Sequence, residues 1–315
     1  MSIRRRAVAT PSTLLRSPYP AASTFQSQAT QAGRRAITYG LLIVFAVFTV
    51  FPFFWMVVTS FKSGNAIFEL PPSFVPDKLF QPDMFDNYIE VLTRHNFIRY
   101  TINSFFVSTM TGIGQVITSS LAGFAFARLQ FRGKNVLFGL LLFTAFFPTE
   151  VTIIPEFILG ARVFDPLLEP IGGWMNTFAP LIVPSFMVGS FGTFLMREFF
   201  STLPKELDEA AIIDGANVFR IYRSIYLPLS RPAMTTLFLL SFINNWNELL
   251  RPVLYISSRE MQTVTMGLTT FQGEFESEWN LLLTGSIIAI VPLLVVYIFM
   301  QRYIVEGIAT TGLKS

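Results

Sequence analysis

Six separate apolar runs, each long enough to cross a bilayer as a helix, constrain this chain more than any other feature. A hydrocarbon core about 30 Å thick needs roughly 20 helical residues. The runs are Ile37–Phe61, Phe97–Ala127, Val136–Pro155, Phe178–Phe200, Pro232–Leu250 and Leu281–Tyr303. Inside lipid a backbone must pair its own N–H and C=O groups, so the runs predict an all-α membrane protein with six transmembrane helices. Only 14% of residues are charged, against roughly 25% in a soluble domain. The second run is long for one span, and its polar residues predict a part that leaves the membrane or faces other helices. The fifth is the weakest, because Asn244, Asn245, Asn247 and Glu248 crowd its end. A charge at mid-membrane costs about 2.5–3.5 kcal/mol. These groups are therefore expected to face protein or water, or to lie near the interface.

Charge placement predicts the orientation. Arg4, Arg5, Arg6, Arg16, Arg34 and Arg35 precede the first run without an acid among them. Arg128, Arg132 and Lys134 join the second run to the third, and Arg197, Lys205, Arg220, Arg223 and Arg231 surround the fourth-to-fifth connection. The alternate connections hold Glu69, Asp77, Asp83, Asp86 and Glu90, then Glu274, Glu276 and Glu278. Short cytoplasmic loops carry Lys and Arg, which places both termini and the fourth-to-fifth connection inside. Residues 1–36 read as a flexible cytoplasmic tail, rich in Ser, Thr, Ala, Gln and Pro. A cleaved signal peptide fits less well, because no apolar core follows the first basic cluster closely. The expected organisation is that tail, a six-helix domain over 37–304, and a cytoplasmic tail over 305–315.

Several chemistries lack their parts. There is no cysteine, which excludes disulfides and thiol chemistry. His95 is the single histidine, too few for a usual zinc set and without a visible nucleophile to serve. No G-x-x-x-x-G-K-[ST] loop is present, so ATP hydrolysis belongs elsewhere. The chain is not expected to be an enzyme, to bind a metal or to hold a cofactor. Ser104, Ser108, Gly112, Gly114, Ser119, Ser120 and Gly123 in the second run favour close helix packing. Pro148, Glu150 and Pro155 interrupt the third run, where a broken backbone must face protein or a water-filled cavity. Glu150 fits the outer interface better than a translocation path. The 62–96 connection, with Pro71, Pro72, Pro76 and Pro82, predicts an irregular or short-helix cap that covers helix ends or meets an outer partner.

The polar connection after the fourth run, about 201–228, has its own pattern. Pro204 suits a first helical turn, with Ser201 or Thr202 as its cap. Leu207, Ala210 and Ala211 then share a face, with Asp208 and Glu209 beside them. Asp214-Gly215 predicts a turn, since glycine tolerates positive φ. Asn217 caps a second short helix carrying Phe219, Tyr222, Ile225 and Tyr226, which Pro228 ends. This is a cytoplasmic helix–turn–helix between spans four and five. Glu206, Asp208 and Glu209 make its first helix acidic, unlike helices that rest on anionic lipid or bind nucleic acid. A protein partner fits: the alanines permit close approach and the carboxylates offer charge-assisted bonds.

The run Glu209-Ala210-Ala211-Ile212-Ile213-Asp214-Gly215-Ala216, followed by Leu227-Pro228 and Pro232, resembles the coupling loop of ABC importer permeases. Trp246-Asn247-Glu248 with Arg251-Pro252, and the ending from Gln301 to Ser315, resemble the carbohydrate branch, in the maltose-type subunit without a large periplasmic insert. The resemblance covers about 37–315. It implies a bacterial or archaeal plasma-membrane heterodimer with a second permease subunit, two ATPase subunits that bind ATP and Mg, and an extracytoplasmic substrate-binding protein. It also implies that Glu209, Ala210, Ala211, Asp214 and Gly215 sit in an ATPase cleft, and that the tail from Gly307 to Lys314 reaches between the ATPases. Asn244, Asn247 and Glu248 are candidates for the substrate path, or else orient helix ends and satisfy backbone. The substrate is expected to be a di- or oligosaccharide of maltose or trehalose type, because the spans carry few basic groups for a phosphate ester. A glycerol-3-phosphate permease is the alternative. An ion-driven secondary carrier would need buried ionisable relays or repeated broken helices, and neither is clear.

Overall fold

A computed structural model describes the backbone at residues 22–273 and 277–312, with side chains at 33–273 and 277–302. Arg4, Arg5, Arg6, Arg16, Glu274, Glu276 and the side chains of the final tail lie outside the described residues. Among those described, every regular element is helical, in line with the apolar runs. The chain divides into two compact units between Phe54 and Trp55. The first unit is helical from Ala22, and that helix, Ala22–Ser60, carries Pro52 inside it.

The second unit is organised by a central helix, Phe97–Arg128, which packs against Ser190–Thr202 and Arg231–Trp246. Its small residues permit this. A methyl group added at Gly123 would lie 2.6 Å from Cβ of Met196, and one at Gly112 would lie 2.8 Å from the Phe238 ring. The length of the second run thus serves contact with other helices, with Ser104, Ser108, Ser119 and Ser120 buried along it. Two apolar clusters fill opposite ends. One gathers Phe97, Tyr100, Phe242, Trp246, Val264 and Phe271. The other gathers Phe124, Met196, Phe200, Tyr222, Tyr226 and Leu237.

Among the described residues, four helices, Gly33–Ser60, Phe97–Arg128, Ala179–Thr202 and Trp279–Arg302, are long and apolar enough to cross a membrane. The third run departs from one straight span. Lys134–Phe146 and Thr149–Ile171 are bent by 99°, and the break lies at Phe147 and Pro148, both extended. Proline disfavours helix at the residue before it, while Pro155 is carried inside the helix that follows. The fifth run also differs. Its helix, Arg231–Trp246, has 16 residues, and the chain then restarts as Leu250–Tyr255.

The 62–96 connection caps helix ends with the short helix Asp86–Thr93. Buried Asn87 donates to the Ser60 and Lys62 carbonyls at 2.8 and 2.9 Å and accepts from Asn280 at 3.1 Å. His95 packs edge-on against Phe271, 4.8 Å between centroids.

Candidate functional site: the elbow after Thr202

The acidic connection folds into a compact elbow. Its first helix is Glu206–Ile213, preceded by Lys205. Ser201 and Thr202 are not its caps. They finish the preceding helix, and their hydroxyls turn back to the Arg197 and Phe199 carbonyls. The turn forms as its glycine requires: Gly215 has φ +76°. The Ala216 N–H donates to the Ala211 carbonyl at 2.9 Å and the Gly215 N–H to Ile212 at 3.0 Å. That pair of bonds is the Schellman closure, which satisfies carbonyls the helix end leaves free. Asn217 then caps the second helix, its Oδ1 accepting from the Arg220 N–H at 2.8 Å. Pro228 does not end that helix. A wider π-turn over Tyr222–Tyr226 leads into Leu227–Leu229, and the break comes at Ser230. Proline has no N–H to give an α-helical ladder, and the helical path here passes through it without stopping.

The helical period sorts the expected site residues. Glu209, Ala210, Asp214 and Gly215 are exposed, while Ala211 is buried. Asp208, three residues before Ala211, shares its inward side, as i and i+3 do on a helix. The expectation that Asp208 is offered to a partner is therefore corrected. Large apolar side chains surround the outward residues: Ile213 is 85% exposed, Ile212 and Phe219 63% each, and Val218 52%.

Asp208 is held by a buried cation. Arg128, at the end of the central helix, places Nη1 3.6 Å from Asp208 Oδ2. Its Nη2 donates to the Phe200 carbonyl at 2.8 Å and to that of Leu203. The guanidinium also lies 5.0 Å from the centre of the Tyr226 ring, a favourable cation–π placement. Tyr226 donates its hydroxyl to Asp208 Oδ1 at 2.6 Å. Burial, and then the bond to this carboxylate, push the Tyr226 hydroxyl well above the ordinary tyrosine range, so it remains a donor at neutral pH.

Asn244, Asn247 and Glu248 lie toward the other end of Arg231–Trp246, away from the elbow at its start. Asn244 is exposed. The Asn247 amide donates to the Ile243 carbonyl at 2.9 Å. Glu248 Oε1 accepts from the Leu250 and Arg251 N–H groups at 2.9 and 3.4 Å and so starts the next helix. Nearby, Arg251 pairs with Glu156 at 3.0 Å. Glu150 is exposed in the first turn after the bend at Pro148.

The model of a family described as binding-protein-dependent transport system inner membrane component matches residues 91–310, the elbow included. The chain belongs to that family. This inner membrane component is 32% identical over 288 residues to the trehalose/maltose transport system permease protein of Thermococcus litoralis, covering 87% of this chain and 94% of that protein. It is 30% identical to the arabinooligosaccharides transport system permease protein of Halalkalibacterium halodurans, covering 89% and 96%. It is 32% identical to the sn-glycerol-3-phosphate transport system permease protein of Agrobacterium fabrum, covering 88% and 96%. Its fold is similar to a solved chain of a bacterial ABC transporter involved in import of the acidic polysaccharide alginate, with TM-score 0.70, 22% identity and coverage of 91% and 100%.

Reading the sequence of this inner membrane component misses Arg128 and Tyr226 as partners of Asp208. Arg128 counts only toward the inside charge, and Tyr226 only toward an apolar face. One signal was available: Arg128 closes a long apolar run, where a buried end would need a carboxylate from elsewhere in the chain.

Proposed function

We propose that this chain is a transmembrane permease subunit of an ATP-driven sugar importer, with the elbow as its contact for an ATPase subunit. The observation that carries this reading is the outward face of the elbow. Four large apolar side chains stand exposed there around Glu209, Ala210, Asp214 and Gly215, and the first elbow helix, with Glu206 and Glu209 exposed, is too acidic to favour anionic lipid. Family membership supplies the kind of machine. In this reading the chain has six spans, with the bent pair as the third and Arg231–Trp246 extended by its flanks as the fifth, so both termini and the elbow share one side, which the basic connections assign to the cytoplasm. Two groupings support that orientation. Arg128 contacts the elbow, and Arg197 lies over the Phe138 ring just beyond Lys134. The acid-rich connections meet elsewhere, where Asn280 bonds Asn87 and Glu278 lines a cleft with Gly64 and Asn65.

In this reading two ATPase subunits bind ATP and Mg, a second permease completes the pore, and an extracytoplasmic binding protein delivers substrate. The chain itself performs no chemistry. Glu209, Ala210, Asp214 and Gly215 meet the ATPase directly, and Ala211 supports them from within. A neutral di- or oligosaccharide is favoured because Arg251, near the candidate path, is already neutralised by Glu156. The glycerol-3-phosphate reading keeps its place through the equally similar Agrobacterium relative. Asn244 is the best remaining path candidate, since Asn247 and Glu248 serve helix ends.

Affinity purification of the solubilised protein should bring down an ATPase and a second permease. A protein that arrives alone or only with copies of itself would reject the reading. Glu209→Lys should abolish uptake while membrane insertion stays intact. Normal uptake with normal ATPase retention would remove Glu209 from the contact. A ligand screen of the cognate binding protein against maltose, trehalose and glycerol-3-phosphate decides the substrate class.

A further inference from the structure

Arg128 joins parts of the fold that a docking surface alone does not require to be joined. Its side chain is 8% exposed. Through one guanidinium the end of the central helix touches the end of Ser190–Thr202, the first elbow helix at Asp208, and the second elbow helix at Tyr226. The surrounding contacts are apolar: Phe124 packs on Phe200, Tyr222 and Tyr226 with centroids 6.2, 5.2 and 5.0 Å away. The burial that drives these ring contacts is non-directional, and their edge-to-face preference adds only about 0.5–1.5 kcal/mol per pair, so they resist sliding weakly. A guanidinium is planar, always charged and forked, so its bonds fix direction as well as distance. Net stability is a weak reason for such a group, because a buried ion pair is often matched or bettered by apolar residues of similar volume.

We propose that Arg128 is a positioning residue for coupling: it makes the elbow and the end of the central helix one rigid body, so that displacement of the elbow moves the central helix. Asp208 and Tyr226 complete the clamp. Asp208 ties the first elbow helix to the cation, and the Tyr226 hydroxyl ties the second helix to Asp208. Without the fork, the elbow keeps its outward face and its partner but slips against Phe124. The inference rests on the elbow's being the ATPase contact.

The test uses the assembled complex purified with its ATPase. The chain has no cysteine of its own, so Leu121→Cys and Ile298→Cys, in a complex whose partner subunits are made free of reactive cysteine, place the two spin labels on the central and last helices, both at exposed positions. Their separation is measured by pulsed electron spin resonance with and without magnesium and a non-hydrolysable ATP analogue. With Arg128 present the analogue should shift this distance. In Arg128→Gln the shift should disappear while ATPase retention is unchanged, and ATP-driven uptake of the sugar found in the binding-protein screen should fall about tenfold, within the usual range of coupling free energies. Arg128→Lys keeps charge but not the fork and should fall between. Tyr226→Phe, which keeps the ring, should lose part of the shift and guards against a fold defect in the arginine variants. A shift that persists in Arg128→Gln and Tyr226→Phe overturns the proposal. So does its absence with Arg128 present, or loss of retention in parallel with uptake, which would mark a merely structural group. Failure of the unmodified complex to retain any ATPase rejects the docking reading instead.

Discussion

At Phe97 the central helix begins in a stack of neutral rings, whereas at Arg128 it ends in a buried cation. The Phe97 ring lies 5.4 Å from Phe271 and 5.7 Å from Tyr100. Separate hydrogen bonds add to this end: exposed Arg99 donates to the Glu260 carbonyl at 2.9 Å, Asn103 to the Glu260 and Gln262 carbonyls at 2.9 Å, and Ser104 accepts from the Val264 N–H at 2.8 Å. Holding is spread over many small terms there, and the loss of one is local. At the other end a single side chain serves three elements. The difference separates an end held by many small terms from an end held by one, which under the proposed coupling is the end that moves with the elbow.

The largest expected effect breaks the ring-stacked end. Phe97 is fully buried, and Phe97→Ala should cost about 3–5 kcal/mol, read as a lower unfolding midpoint of the solubilised protein. ATPase retention should survive; its loss would show that the two ends are not independent. Next, Arg128→Met should cost about 3 kcal/mol, because Asp208 is left without its counter-ion. Adding Asp208→Leu should return most of that stability but none of the coupling. A double variant that transports normally would reduce the clamp to packing. Third, Gly215→Val forces a branched residue into φ +76°, at about 1–2 kcal/mol, and should weaken ATPase retention more than it lowers the unfolding midpoint. Normal retention would show that the turn tolerates another conformation.

The smallest effects are in pH, and the two regions should respond in opposite directions. Tyr226 has a raised pKa in the folded state, so its stabilising contribution is complete below the ordinary tyrosine value of 10.0 and is lost as pH rises through the higher folded value. Asp77 lies in the 62–96 connection. Its partial burial works upward, but the Ser63 hydroxyl and N–H bonds together hold its pKa below the ordinary carboxylate value. That contribution is present above the ordinary value and fades as pH falls through the lowered one. The gap in unfolding midpoint between the parent and Tyr226→Phe should therefore be full at neutral pH and narrow in alkali, whereas the gap between the parent and Asp77→Asn should be full at neutral pH and narrow in acid. Parallel curves would show that neither group is linked to folding.

Much of the architecture could be read from composition because lipid imposes a simple rule of length and apolarity. The run Phe97–Ala127 matches the helix Phe97–Arg128 to one residue, and Leu281–Tyr303 lies inside Trp279–Gly312. Gly215 and Asn217 were legible because each has one strong local reason for its place. The bend at Phe147 and Pro148 was not: proline marks an interruption without giving its angle. Ser201 and Thr202 misled because a hydroxyl that caps one helix also closes the helix before it. Ala211 and Asp208 needed the true helical phase, and the Arg128 clamp needed tertiary proximity between segments far apart in the chain.

If the elbow is the ATPase contact proposed above, the closure at Gly215 has a consequence for how that partner is engaged. Both backbone bonds that shape the turn come from the chain itself, so the elbow reaches its final form at folding and not on contact. A segment that orders only on binding surrenders part of its interaction free energy to lost conformational freedom. Here that loss is settled beforehand, and the approaching surface meets a preorganised shape whose affinity is not reduced by disorder.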